Sequence, residues 1–156
     1  TTAGVPVVAD WEGAKKSLLE PRLVPGLAHT RVRQASAGSV HSAVVTEAGE
    51  LYTMGYNGEG RLGLGWSAVW VDGTPQCKSE PTLVEALQGI PVVEVAAGLD
   101  HTLARTADGR IFSWGSNAHG QTGLGGQWRS LERPLEIEVP FRRALGTFEA
   151  QLDAEA

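Results

Sequence analysis

The chain has 156 residues, 42% of them hydrophobic and 20% charged, a balance that fits one globular domain and excludes disordered and collagen-like structure. Thirteen Lys and Arg against eighteen Asp and Glu give a net charge of −5, so no global positive field gathers nucleic acid. No run approaches the roughly 20 apolar residues of a membrane span, the N-terminus lacks the pattern of a secretory signal, and the single Cys77 can supply neither an intrachain disulfide nor a zinc cluster.

In chain order, residues 1–19 carry Val5–Val8 and then Asp10–Leu19, which read either as the end of a preceding unit or as a short helical extension. From residue 20 the sequence repeats itself. Residues 20–65 set beneath 80–125, a shift of 60 without a gap, share 17 of 46 positions. The shared residues include Ala37-Gly38/Ala97-Gly98, His41/His101, Gly55/Gly115, Asn57/Asn117 and Gly63-Leu64-Gly65/Gly123-Leu124-Gly125. Twenty glycines, about 13% of the chain against a usual ~7%, carry much of this pattern. A period of this length points to a solenoid, a propeller or an array.

Each copy reads as strand upon strand, with little room for a helix. The first copy gives a short strand after Pro21, then Ser42–Thr46 and Glu50–Met54 joined at Ala48-Gly49. The linker Trp66–Ser79 follows. The second copy gives Thr82–Glu85 after Pro81, then Pro91–Ala96, His101–Thr106 and Arg110–Trp114, with Asp108-Gly109 marking a hairpin that needs positive φ. Four short strands per repeat describe a propeller blade.

The pattern Pro81-x-x-Val84, Val95-Ala-x-Gly98-x-x-His101-Thr102, Asp108-Gly109, Trp114-Gly115-x-Asn117-x-x-Gly120-Gln121-x-Gly123-x-Gly125 closely resembles the repeat of the RCC1 (regulator of chromosome condensation) family. The first copy resembles a more divergent member, with Met54 where the family usually has Trp and Arg61-Leu62 where it usually has Gln-Leu. The resemblance covers residues 20–125, and Arg133–Ile137 resembles the opening strand of a third repeat. It implies an all-β, partial RCC1-like β-propeller: repeat 1 with its long linker over 20–79, repeat 2 over 80–132, and the start of a third repeat with a tail over 133–156. The tail spaces Phe141, Leu145, Phe148 and Leu152 as a helix would, broken by Gly146.

The family's closed propeller has seven blades, and seven repeats need roughly 350 to 420 residues. About two and a half repeats leave sheet faces uncovered. Three arrangements would cover them: a longer polypeptide, another chain or copy, or a large assembly.

Several features suggest chemistry. Gly58-Glu-Gly60-Arg-Leu-Gly63 matches a dinucleotide fingerprint, but that site needs a helix at its third glycine, and Leu64-Gly65-Trp66 follows instead. His41 and His101 share one repeat position, which the resemblance makes an internal hydrogen-bonding element. His29 and His119 lack metal-ligand spacing. No catalytic group, cofactor or metal is expected. The resemblance makes Gly38, His41, Gly55, Gly63, Gly98, His101, Trp114, Gly115 and Gly123 the structural signature of the repeat.

Propellers place function on loops. Trp66 and Trp70 in the first linker are candidate partner contacts, with folding back on their own blade as the alternative; Trp128 and Arg129 repeat the idea after the second copy, and Arg142-Arg143 suit an acidic partner or RNA. The resemblance implies a non-enzymatic scaffold for protein interaction, intracellular and either nuclear, cytosolic or mitochondrial. Its partners would be other chains or the missing blades, with nucleic acid only inside a larger assembly. The alternative is a guanine-nucleotide exchange factor for a small GTPase with chromatin association, like the family's founding member.

Overall fold

Runs rich in Val, Thr and aromatic residues become strands here because alternate side chains find a surface to pack on while glycine turns reverse the chain. The computed structural model describes residues 23–65, 70–71, 74–75, 77–126 and 129–138. Its elements are β1 (Val32–Ala37), β2 (His41–Thr46), β3 (Leu51–Tyr56), β4 (Trp70–Val71), β5 (Thr74–Pro75), β6 (Cys77–Leu83), β7 (Val92–Ala97), β8 (His101–Thr106), β9 (Ile111–Ser116) and β10 (Ser130–Ile137), with 3₁₀ turns at 58–60 and 85–87. They form two antiparallel four-stranded sheets, ordered β1-β2-β3-β6 and β10-β9-β8-β7, and a small ribbon β4-β5. The fold is all-β, and each four-stranded sheet is one blade.

Sheet and sequence period are offset by one strand. The strand that opens the second sequence repeat, β6, pairs with β3 and completes the first blade. In the same way Arg133–Ile137, the expected opening of a third repeat, belongs to β10, which pairs with β9 and completes the second blade. Among the described residues no third blade begins. Part of the stretch 66–79 expected to be a linker is also regular: it holds the β4-β5 ribbon and the first residues of β6. The turn at Asp108-Gly109 closes with Gly109 N–H donating to Thr106 O at 2.9 Å. Only Gly109 there takes positive φ, 79°, so the pair makes a turn followed by a left-handed glycine and not a two-residue primed turn.

The two blades share one core. Ala43, Val45 and Leu51 of the first blade meet Val84, Leu87, Val92, Val95, Ala104, Phe112, Trp114 and Leu131. The other face of the first blade, Val44 and Met54, is covered by Val24 and Leu27. All six residues of β2 are therefore buried. In β8, at the same repeat position, burial alternates: Thr102, Ala104 and Thr106 face the first blade and are buried, while His101, Leu103 and Arg105 lie on the opposite, leading face.

Candidate interaction surface

The junction between the blades is a ladder of polar side chains reaching from the first sheet to the backbone of the second. The Gln34 amide acts as an extra strand segment: its Nε2–H donates to Val95 O at 2.8 Å and its Oε1 accepts from Val95 N–H at 2.7 Å. Ser36 Oγ accepts from Ala97 N–H at 2.9 Å, and the Ser39 hydroxyl donates to Leu99 O at 2.7 Å. His41 Nε2 lies 2.9 Å from Thr102 Oγ1, whose hydroxyl donates to Arg61 O at 2.8 Å. Burial, with the neighbouring Arg61 cation second, lowers the His41 pKa to about 4, so its imidazole is neutral at pH 7.

Arg61 is the hub of this ladder. Its buried guanidinium pairs with Asp100 at 2.8 Å, donates to Gly58 O at 2.8 Å and Leu99 O at 3.3 Å, and lies 5.2 Å from the Tyr56 ring centroid. Its carbonyl also accepts from Trp114 Nε1–H at 2.9 Å, which gives the fully buried indole its polar partner. The loop carrying Arg61 crosses onto the second blade, where Gly65 N–H donates to Glu132 O at 2.8 Å.

Glycine makes these approaches possible. A Cβ on Gly63 would stand 2.7 Å from Trp114 Nε1, and one on Gly115 (φ 98°) would stand 2.5 Å from Asp100 O. Gly55 holds the matching place against Val40 O, and Gly38 and Gly98 leave room for the rings of His41 and His101. Gly123, at the repeat position of Gly63, has only Ile137 within 4 Å.

The second blade carries the same apparatus on its leading face. His101 is half-buried and its imidazole has no hydrogen-bond partner among the described residues, and the Ser113 hydroxyl is buried without a partner. A Cβ on Gly60 would meet Glu132 Cα at 2.7 Å, whereas one on Gly120 or Gly125 meets nothing within 4 Å. Of the expected partner contacts, Arg129 is exposed just before β10, and Trp70 opens β4. Trp66, Trp128, Arg142 and Arg143 lie outside the described residues. The fingerprint Gly58–Gly63 forms a 3₁₀ turn with no α-helix behind it. Among the described residues no group of three or more His, Cys, Asp or Glu could hold a metal, and no helix is long and apolar enough to cross a membrane.

Gln34, Ser36, Ser39 and Asp100 carry no motif in the sequence, and Arg61 and Thr102 stand there only as repeat positions without a role. A signal exists for all but Thr102, because the two copies differ in polarity or charge at these places: Gln34/Glu94, Ser36/Ala96, Ser39/Leu99, Val40/Asp100 and Arg61/Gln121.

The family profile described as the Regulator of chromosome condensation (RCC1) repeat matches residues 32–61 and 92–121 in one form, and 48–105 and 108–145 in a second. The chain belongs to the RCC1 repeat family. Its relatives include the human E3 ubiquitin-protein ligase HERC2, 44% identical over 121 residues, covering 76% of this chain and 2% of that protein. The probable E3 ubiquitin-protein ligase HERC4 of Rattus norvegicus is 35% identical over 113 residues, 72% of this chain and 10% of that protein. The chain thus spans a small part of the length of these relatives. Human WBSCR16 matches in structure with TM-score 0.60 and 29% identity over 72% of this chain and 26% of its own. Yeast RCC1 (Prp20), seen bound to Kap60, matches with TM-score 0.68 and 24% identity over 78% of this chain and 28% of its own.

Proposed function

We propose that this chain is a non-catalytic RCC1-repeat interaction module, a rigid stack of blades that works inside a larger propeller or assembly and holds other proteins on its loops. The observation that carries the reading is the leading face of the second blade. It repeats the His-turn and glycine loop that join blade one to blade two, yet among the described residues nothing occupies them. The junction takes up two of the signature residues and one departure from the repeat: His41, Trp114 and Arg61 all direct their polar atoms across it. That leaves partner contact to edge loops and to the stretch around Trp66 and Trp70, where aromatic anchors suit a protein interface.

A nucleotide-release assay with a panel of purified small GTPases tests the non-catalytic reading, and release rates unchanged by the chain are the expected result. Acceleration by orders of magnitude would replace it with the exchange-factor reading. Trp70→Ala should shift the melting midpoint by less than about 3 °C, under ~1 kcal/mol, while reducing crosslinks from the 66–79 stretch to bound protein. Loss of stability with crosslinking intact would assign Trp70 to the fold.

A further inference from the structure

We propose that the rim formed by the β1–β2 turn, the β7–β8 turn and the loop after β3 is a second docking surface, for a protein segment that presents an apolar side chain flanked by Lys or Arg. This rests on the interaction-module reading and adds a surface to it. Val40 and Leu99 are two of the four large apolar side chains exposed among the described residues, at 47% and 69%. The hydrogen bonds place them on one end of the sheets. Ser39, next to Val40, bonds Leu99 O; Val40 O accepts from Tyr56 N–H at 2.9 Å; and Arg61, over Tyr56, bonds Leu99 O and Asp100.

A further blade would not cover this rim. Ser39 sits where Leu99 sits in the repeat, and it is exposed although the next blade is in place beside it. Asp100 sits where Val40 sits, and its side chain keeps 35% exposure although the preceding blade is in place. The internal repeat thus shows both positions in completed junctions, and both stay accessible.

The charge around the apolar pair selects the partner. Glu59 lies two residues from Arg61, is exposed, and has no hydrogen bond or ion pair among the described residues. Asp100 lies at the same end, and among the described residues of the three loops the one cation, Arg61, is buried and already paired with it. With Asp100 paired to Arg61, the unpaired exposed charge among the described residues of the three loops is the Glu59 carboxylate, which favours a basic residue beside the apolar pair, while exposed Arg129 stands at the same end on the β9–β10 connection. Glu59 is also the only non-glycine residue with positive φ among the described residues, at 58°, while His119 at the same repeat position is not so held. A backbone held this way against its preference is a mark of functional constraint.

The test is fluorescence polarisation with the full chain and a labelled twelve-residue peptide bearing a central Leu-Phe pair between two Lys-Arg pairs. Saturable binding is expected, weakening with salt. Leu99→Ser, which installs the residue of the other copy, should raise Kd at least tenfold, and Glu59→Gln at least threefold. Glu59→Gly should weaken binding equally while raising the thermal midpoint, which separates docking from folding. Absence of saturable binding, or a Kd unmoved by Leu99→Ser and Glu59→Gln, overturns the proposal and leaves the interaction-module reading to its own assays. The competing occupant is a neighbouring blade: in a Cys77→Ser background, which removes the exposed native thiol, a Leu99→Cys thiol that reacts with maleimide in this chain but not in the chain extended by further RCC1 repeats would show that a blade covers the rim, and would also overturn it.

Discussion

Removing the Arg61 side chain should weaken the blade junction more than any other single polar truncation. The Arg61 side chain is 6% exposed and that of Asp100 35%, so the pair lies between the surface case, worth about 0–1 kcal/mol, and the fully buried one, whose breakage costs about 3–5 kcal/mol. In Arg61→Ala the carboxylate is left behind with a third of its surface in water, a penalty of about 2 kcal/mol. Two carbonyls, Gly58 O and Leu99 O, also lose one of their two donors, keeping the Arg61 N–H and the Ser39 hydroxyl, which adds about 1 kcal/mol between them. The sum, about 3 kcal/mol, corresponds to a drop in melting midpoint of roughly 6–12 °C for a chain of this size. Asp100→Ala leaves the guanidinium with both carbonyls and the Tyr56 ring, and should cost about 2 kcal/mol. The double variant should reveal a coupling of about 1–2 kcal/mol. Urea unfolding followed by tryptophan fluorescence reads all three, since Trp114 donates to the Arg61 carbonyl. Single losses below about 0.5 kcal/mol with no coupling would mean that the apolar core alone holds the blades together.

Gly115→Val should prevent folding, because its Cβ would stand 2.5 Å from Asp100 O and 2.7 Å from His101 Cα, whereas Gly123→Val, with space around it, should cost only the ~1–2 kcal/mol of a left-handed β-branched residue; equal losses would show that space is not what distinguishes them. Trp114→Met, which copies Met54 of the first blade, should lose about 2 kcal/mol through the missing indole donor and unfilled volume, measurable by thermal melting, and an unchanged midpoint would place the indole outside the junction's energetics. His41 gives the chain an acid sensitivity. Its folded pKa of about 4 lies below the usual 6.5, so above pH 6.5 the residue is neutral in both states and contributes no pH dependence. As pH falls from 6.5 to 4 the unfolded state takes the proton first, and stability declines by up to about 3 kcal/mol. His41→Asn should flatten that part of the stability profile, and a slope identical to that of the parent chain would count against the assignment.

The blades were legible because their determinants are local. Glycines that permit a left-handed turn, such as Gly49 and Gly109, and alternating Val, Leu and Thr runs declare hairpins within a few residues. The repeat-to-repeat match then multiplied each signal by two. What the sequence hid was pairing between elements distant along the chain. Strand β6 opens a repeat by sequence yet hydrogen-bonds to β3, because a blade is closed by whichever strand follows its three-stranded meander. The junction ladder was hidden for the same reason: Gln34 and Val95, or Arg61 and Asp100, are 61 and 39 positions apart, and Arg61 reads as a departure from the repeat until Asp100 stands opposite it. The expectation of contacts around Trp66 and Trp70 rests on apolar character in a loop, whereas Leu99, Val40 and Glu59 carry no sequence signal, since each is ordinary for a turn until the fold sets them on one rim.

Amide hydrogen exchange across the two equivalent loops, 57–65 and 117–125, tests most directly the claim that this is a blade stack built to continue. In this chain the first loop should be protected, above all at Gly65, whose N–H is bonded to Glu132 O. The second should exchange rapidly at Gly125, the counterpart of Gly65, and become protected there when the chain is extended by further RCC1 repeats or bound to a chain that carries them. Protection of 117–125 already equal to that of 57–65 in this chain, or rapid exchange that persists after extension, would contradict the account.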